Sequence, residues 1–177
     1  VKVFSRICED SDVPIVADVH FDYRIALVVL DCKVGKLRIN PGNIGSKDRL
    51  ERIVTKALER NVPIRIGVNA GSIEKDILSE YGGPHPEAMV KSCEGSVRFF
   101  ESLGFQDIVI SLKAFDIWDT LKAYKLMADL VDYPFHIGIT EAGIGDSAVI
   151  RSAVGIGSLL TQGIGDTLRV SLTGDPV

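Results

Sequence analysis

Cysteine, histidine and tryptophan are scarce, with 3, 3 and 1 among 177 residues. Cys8, Cys32 and Cys93 are odd in number and show neither CxxC nor zinc spacing, so no disulfide framework or metal knuckle is supported. They read as buried thiols of a reducing compartment. Only His20, His85 and His136 are available as imidazoles, with no HxH or HExxH, which leaves Asp18-x-His20 a poor mononuclear metal pair. GxGxxG, the P-loop and GxSxG are all missing, excluding dinucleotide, P-loop and serine-hydrolase readings. The longest apolar run, Ile25 to Leu30, is far short of the roughly 20 residues a membrane helix needs. No secretory h-region opens the chain, so the expectation is a soluble protein of the cytoplasm, or of the plastid stroma in a plant or alga. The net charge of −4 excludes bulk nucleic-acid affinity, and 46% apolar with 25% charged residues excludes a disordered chain. The start at Val1 without methionine, and the stop at Asp175-Pro176-Val177 after a strand-like run, lead us to expect a piece of a longer polypeptide.

What the chain does contain is alternation. Short β-rich runs end in polar residues, pass through a Gly-rich or polar turn and give way to an amphipathic segment, the signature of βα units on a parallel sheet. The runs cover 14–20, 36–40, 63–69, 107–113, 134–140 and 166–172. Leu50, Ile53, Val54, Ala57 and Leu58 form a helical stripe behind a candidate Ser46 N-cap. Val90, Cys93, Val97 and Phe100 form a second before Gly104, and Ile117, Leu121, Tyr124 and Ala128 a third after a candidate Asp116 N-cap. Val149, Ile150, Ala153, Val154 and Gly157 make a fourth. The segment 71–89 is long for a βα loop, and its GGPHP cluster breaks any helix. With no low-complexity tract or linker, the chain is one domain or part of one.

Side chains at i and i+2 share a face of a strand. That parity pairs Asp18 with His20, Arg38 with Asn40, Arg65 with Asn69 across Gly67, Ser111 with Lys113, His136 with Thr140 across Gly138, and Arg169 with Ser171. Six strands thus spend inward positions on polar residues at their C-terminal ends, where a (β/α)8 barrel carries its active site. Arg38, Arg65, Lys113 and Arg169 in an acidic chain define a strongly anionic ligand, a phosphate or diphosphate. The turns PGNIGS (41–46), NAGS (69–72) and AGIGDS (142–147) let backbone N–H groups approach an anion. Glu141, directly after a strand, is the candidate general acid or base.

ADVHFDYRIAL (17–27), KLRINPGNIG (36–45), IRIGVNAGS (64–72), ISLKA (110–114), GITEAG (138–143) and LRVSLTGDP (168–176) closely resemble, in order along the chain, the barrel domain of the 4-hydroxy-3-methylbut-2-enyl diphosphate synthase family. The resemblance implies an incomplete TIM-type (β/α)8 barrel over 1–177, holding the third to eighth strands and lacking the first two. It implies reductive ring opening of 2-C-methyl-D-erythritol 2,4-cyclodiphosphate in the methylerythritol phosphate route to isoprenoids. By resemblance Arg38, Arg65, Asn69, Lys113, Arg169 and Ser171 hold the diphosphate, Asp18, His20, Asn40 and Thr140 line the pocket, and Glu141 is a candidate proton donor in C–O cleavage. The family uses a [4Fe-4S] cluster fed by flavodoxin or ferredoxin. Its three Cys and one Glu ligands lie in a separate iron-sulfur domain, so no cluster is expected on Cys8, Cys32 or Cys93 and no metal on this chain. In the family homodimer one subunit's cluster domain covers the other's barrel, so this piece alone should not turn over. Two departures stand out. A diphosphate-binding Arg expected on the second strand is absent, and Phe115 replaces a commoner small polar residue. The competing readings are a redox-free phosphate-ester barrel enzyme like dihydropteroate synthase and a non-catalytic diphosphate-binding domain.

Overall fold

A computed structural model describes residues 2–114 and 116–174; Val1, Phe115 and the last three positions, 175–177, lie outside the described residues. The chain divides into two compact units, Val1–Gly67 with Gly95–Val109, and Val68–Glu94 with Ile110–Val177.

The first unit opens with α1 (Lys2–Asp10), β1 (Val16–Val19), α2 (Tyr23–Val29) and β2 (Lys36–Ile39), then α3 (Pro41–Ile44) and α4 (Lys47–Arg60). β3 (Ile64–Asn69) follows, and β1–β2 and β2–β3 pair in parallel. Strand parity is visible in the burial: Ala17 and Val19 are buried while Val16 and Asp18 are exposed. Leu37, Ile39, Ile64 and Ile66 are fully buried, the continuous apolar layer expected of a parallel sheet under helices. Leu50, Ile53, Val54 and Ala57 bury the stripe of α4, and the helix stops at Asn61, whose left-handed φ of 52° lets its N–H close the last turn. Ser46 sits at the N-cap position, but its side chain makes no capping bond. The expected elements do not include α1, α2 or α3, although Val3, Phe4, Ile7 and Cys8 give α1 an apolar stripe at helical spacing. PGNI of the first glycine turn forms α3, entered through Pro41.

The second unit continues β3 into a 3-10 turn at Ala70–Ser72, then α5 (Lys75–Tyr81), so the long 71–89 segment is partly helical. The break comes at Gly82 and Gly83, both with positive φ, before α6 (Pro86–Ser102). β4 (Ile108–Lys113), α7 (Ile117–Ala128), β5 (His136–Ile137), α8 (Gly145–Leu160) and β6 (Thr167–Leu168) complete the chain. Asp116 caps α7, accepting from the N–H groups of Trp118 and Asp119 at 2.7 and 3.2 Å. Strand order is β1-β2-β3-β4, with β5-β6 a separate parallel ladder. All six expected strands form, shorter than their apolar runs.

The fourth helical stripe needs correcting. α8 lies where expected, yet Val149, Ile150 and Val154 are 49%, 61% and 53% exposed. Its buried face is Ala148, Ser152, Gly155, Ile156 and Leu159. The reason is close approach: a Cβ on Gly155 would collide with the Ile139 side chain, so the helix docks on its small residues and turns the larger ones outward. None of the described helices is long and apolar enough to cross a membrane.

Candidate functional site

In the first unit the register sets Arg38 level with Asp18 on β1 and with Arg65 on β3. The Arg38 side chain is only 3% exposed. Its Nη1 donates to Asp18 Oδ1 at 2.7 Å and lies 2.7 Å from His20 Nε2. His20 Nε2 also stands 3.2 Å from the same Asp18 oxygen, so the three side chains form one cluster. Gly67 makes the room, because a Cβ there would stand 2.6 Å from Arg38 Nε. That Nε–H is buried and meets no acceptor among the described residues, a donor suited to an anionic oxygen. Burial raises the pKa of Asp18, but the hydrogen bond from Arg38 and the charges of Arg38, His20 and Arg65 outweigh it and hold the carboxyl below its usual range. Asn40, at the N-cap of α3, is buried, and Arg65 is half-buried. The structure thus brings Asp18, His20 and Arg38 into direct contact and sets Arg65 beside them.

In the second unit a cavity of about 160 Å³ is lined by Lys113, His136 to Glu141, Arg169, Ser171 and Thr173. The end of β4 supplies Lys113, β5 and the residues after it His136, Gly138 and Thr140, and the segment after β6 Arg169 and Ser171. His136 Nδ1 lies 2.9 Å from Thr167 Oγ1, which fixes the ring. Phe135 N–H donates to Asp166 at 2.7 Å, tying the start of β5 to the turn before β6. Gly138 permits a close approach of main chain, since a Cβ would stand 2.6 Å from the carbonyl oxygen of Arg169. Glu141 is the one acid among the lining residues and is exposed, with φ of 54°. Holding a glutamate in the left-handed region costs about 1–2 kcal/mol, a strain that recurs where a side chain must be aimed at a site. The Thr173 N–H donates to Gly143 at 3.0 Å and fastens that turn. Asn69 does not line the cavity, although its Oδ1 is buried without a partner among the described residues.

Lys113, His136, Thr140, Arg169 and Ser171 therefore converge as parity predicts, and Glu141, noted for its place directly after a strand, joins them. Tyr124 escaped the sequence reading, which placed it in an apolar stripe. It is fully buried, accepts from Leu112 N–H at 3.0 Å and donates to the His136 carbonyl at 2.7 Å. A tyrosine on a core face always needs a partner for its hydroxyl, and that was the available signal.

The cysteines do not form a metal nest. Cys93 is buried in α6, where desolvation and the nearby Glu74 charge push its thiol well up, opposite to the thiolate that iron binds. Cys8 is buried and its thiol is raised by desolvation, whereas Cys32, expected to be buried, is half-exposed. Among the described residues no three His, Cys, Asp or Glu side chains gather as metal ligands.

Residues 1–177 match the family model described as the GcpE TIM-barrel domain. A protein of Caldanaerobacter subterraneus subsp. tengcongensis is 59% identical over 166 residues, 94% of this chain and 47% of its own length. One of Geobacter sulfurreducens is 59% identical over 176 residues, 99% of this chain and 50% of its own. Both are named 4-hydroxy-3-methylbut-2-en-1-yl diphosphate synthase (flavodoxin). The chain spans about half the length of these relatives. Among solved structures, Xanthomonas albilineans dihydropteroate synthase in complex with 7,8-dihydropteroate superposes with a TM-score of 0.61 at 13% identity, over 94% of this chain and 64% of that one. A 2,3-dimethylmalate lyase superposes at 0.55 and 12% identity, over 95% and 60%. These two likenesses are of fold.

Proposed function

The chain belongs to the GcpE TIM-barrel family, and from that premise we propose that it is the substrate-holding barrel of a 4-hydroxy-3-methylbut-2-enyl diphosphate synthase. In this reading the complete protein opens 2-C-methyl-D-erythritol 2,4-cyclodiphosphate and reduces it by two electrons to the linear allylic diphosphate and water. The observation that carries it is the cavity of the second unit, where two cations, Lys113 and Arg169, and the hydroxyls of Thr140 and Ser171 accompany one carboxylate, Glu141.

The residues divide the work by chemistry. Lys113 and Arg169 neutralise phosphoryl oxygens, the one as a point charge and the other as a planar fork, while Ser171 and Thr140 donate hydroxyl hydrogens. Glu141 delivers the proton with which the departing hydroxyl leaves as water. Arg38, Arg65 and Asn69 are assigned to the diphosphate by the same family reading, with Asn40 lining the pocket, supported for Arg38 by its buried, unmatched Nε–H. Asp18 and His20 hold that guanidinium in place. Electrons come from a [4Fe-4S] cluster whose ligands lie outside this chain, with flavodoxin or ferredoxin as donor. The complete protein acts as a cytoplasmic homodimer.

The test is anaerobic turnover of the complete polypeptide with the cyclodiphosphate and a chemical reductant, with iron measured in the same sample. Iron-dependent release of the linear diphosphate is expected. Iron-free protein that converts a phosphate ester without reduction would instead make this a redox-free barrel enzyme, and binding without conversion a diphosphate-binding domain.

A further inference from the structure

Parallel strands joined at Ile110 and Phe135 should continue their ladder two residues on. Ile110 N–H donates to the Pro134 carbonyl at 2.9 Å, and the next bond in register runs from Leu112 N–H to the His136 carbonyl. These are the two groups that the Tyr124 hydroxyl takes, accepting at 3.0 Å from one and donating at 2.7 Å to the other. Two hydrogen bonds through an oxygen atom thus occupy a step that a single N–H···O bond of about 2.9 Å spans in an unbroken ladder. The pairing of β4 with β5 is an isolated bridge at Ile110 and Phe135.

The position matters because Lys113 directly follows Leu112, and both Lys113 and His136 line the cavity. We propose that Tyr124 is a positioning residue, a hydroxyl wedge that parts β4 from β5 at their C-terminal ends and sets the separation of Lys113 and His136. The ring reaches the sheet from α7 and is held edge-on against Phe135, 5.7 Å between centroids at 83°, so the oxygen is delivered by packing rather than by a mobile side chain. The inference rests on the reading of the cavity as the diphosphate site, and deepens it by naming what opens the site.

Tyr124→Phe keeps the ring and removes the wedge. In the complete polypeptide, a crystal structure of the variant should show the Leu112 amide and the His136 carbonyl drawn together to about 3 Å. The KM for the cyclodiphosphate should rise about tenfold with kcat within about threefold, and titration with inorganic pyrophosphate should weaken in parallel. Phe135→Leu, which keeps the hydroxyl but loosens the ring that carries it, should lower stability and raise KM by less than Tyr124→Phe does. If Tyr124→Phe melts too low to assay, Gly157→Ala, which fills open space on α8, supplies a stabilised background. Unchanged spacing in Tyr124→Phe overturns the wedge, as does closed spacing with an unchanged KM. A KM rise shared equally by Phe135→Leu also overturns it. If the wild-type protein neither binds pyrophosphate nor converts the cyclodiphosphate, the functional reading falls while the measured spacing still decides the wedge.

Discussion

Replacing Gly138 by alanine puts a methyl group where β5 meets the segment that follows β6. The added carbon would stand 2.6 Å from the Arg169 carbonyl oxygen, a backbone atom that no rotamer change can move. Non-bonded carbon contacts settle near 3.5 Å, so the Arg169 backbone must retreat by several tenths of an ångström, to about 1 Å at most. The bond from Arg169 N–H to the Ile137 carbonyl, 3.0 Å in the native chain, is then stretched towards its limit. Overpacking of this kind costs about 1–3 kcal/mol, and a domain of this size loses roughly 2–4 °C in Tm per kcal/mol. Thermal unfolding of Gly138→Ala in the complete polypeptide should therefore fall by about 2–12 °C. Because Arg169 moves with its backbone, pyrophosphate binding should weaken about tenfold. Gly157→Ala is the control: nothing lies within 4 Å of its added Cβ, and alanine favours the helix. A Gly138→Ala protein that melts within a degree of wild type and binds pyrophosphate equally well would refute the close-approach argument.

Lys113→Ala and Arg169→Ala should each weaken pyrophosphate and cyclodiphosphate binding by about 5- to 150-fold, the 1–3 kcal/mol of a charge-assisted hydrogen bond, read by titration calorimetry; unchanged binding in both removes the diphosphate assignment. Glu141→Gln should lower kcat by about 10²–10⁴ with little change in KM, in steady-state kinetics of the complete enzyme; equal loss in binding would make Glu141 a ligand contact rather than a proton donor. Asp18 has a depressed folded pKa, so its contribution to stability is present above the ordinary carboxylate pKa and is lost as pH falls through the folded value. Wild-type stability should accordingly drop on acidification below about pH 4, and Asp18→Asn should be less stable than wild type at pH 7 while converging on it in acid; parallel curves would show that Asp18 is not the titrating partner of Arg38.

Strands and most helices were legible because one local rule governs each. β-rich runs announce β1 to β4, and apolar spacing announces α4, α6 and α7, whose stripes are buried except at Leu58, 39% exposed, and at Ile117 and Ala128, half-buried. α8 misled because its largest residues follow the helical period but its docking face was chosen by the room that Gly155 leaves for Ile139, a contact set by a different element. Within the site, parity assigned Lys113, His136, Thr140, Arg169 and Ser171 to inward positions at strand ends, and strand alternation alone was enough for that; Glu141 came from its place directly after a strand. It could not supply register, which is why the Asp18–Arg38 contact emerged only with the folded chain. Tyr124 was invisible for the same reason: its partners are two main-chain groups on strands far from it in sequence.

At 3% exposure the charge of Arg38 has little water around it. Dissolved salt screens exposed charges over about 8 Å at physiological ionic strength but reaches buried ones much less. Arg169 stands exposed, so its pull on an anion fades as salt is added. An anion on Arg169 would thus feel an attraction that the buffer can dial down, whereas one on the buried guanidinium beside Asp18 would keep its grip in strong brine.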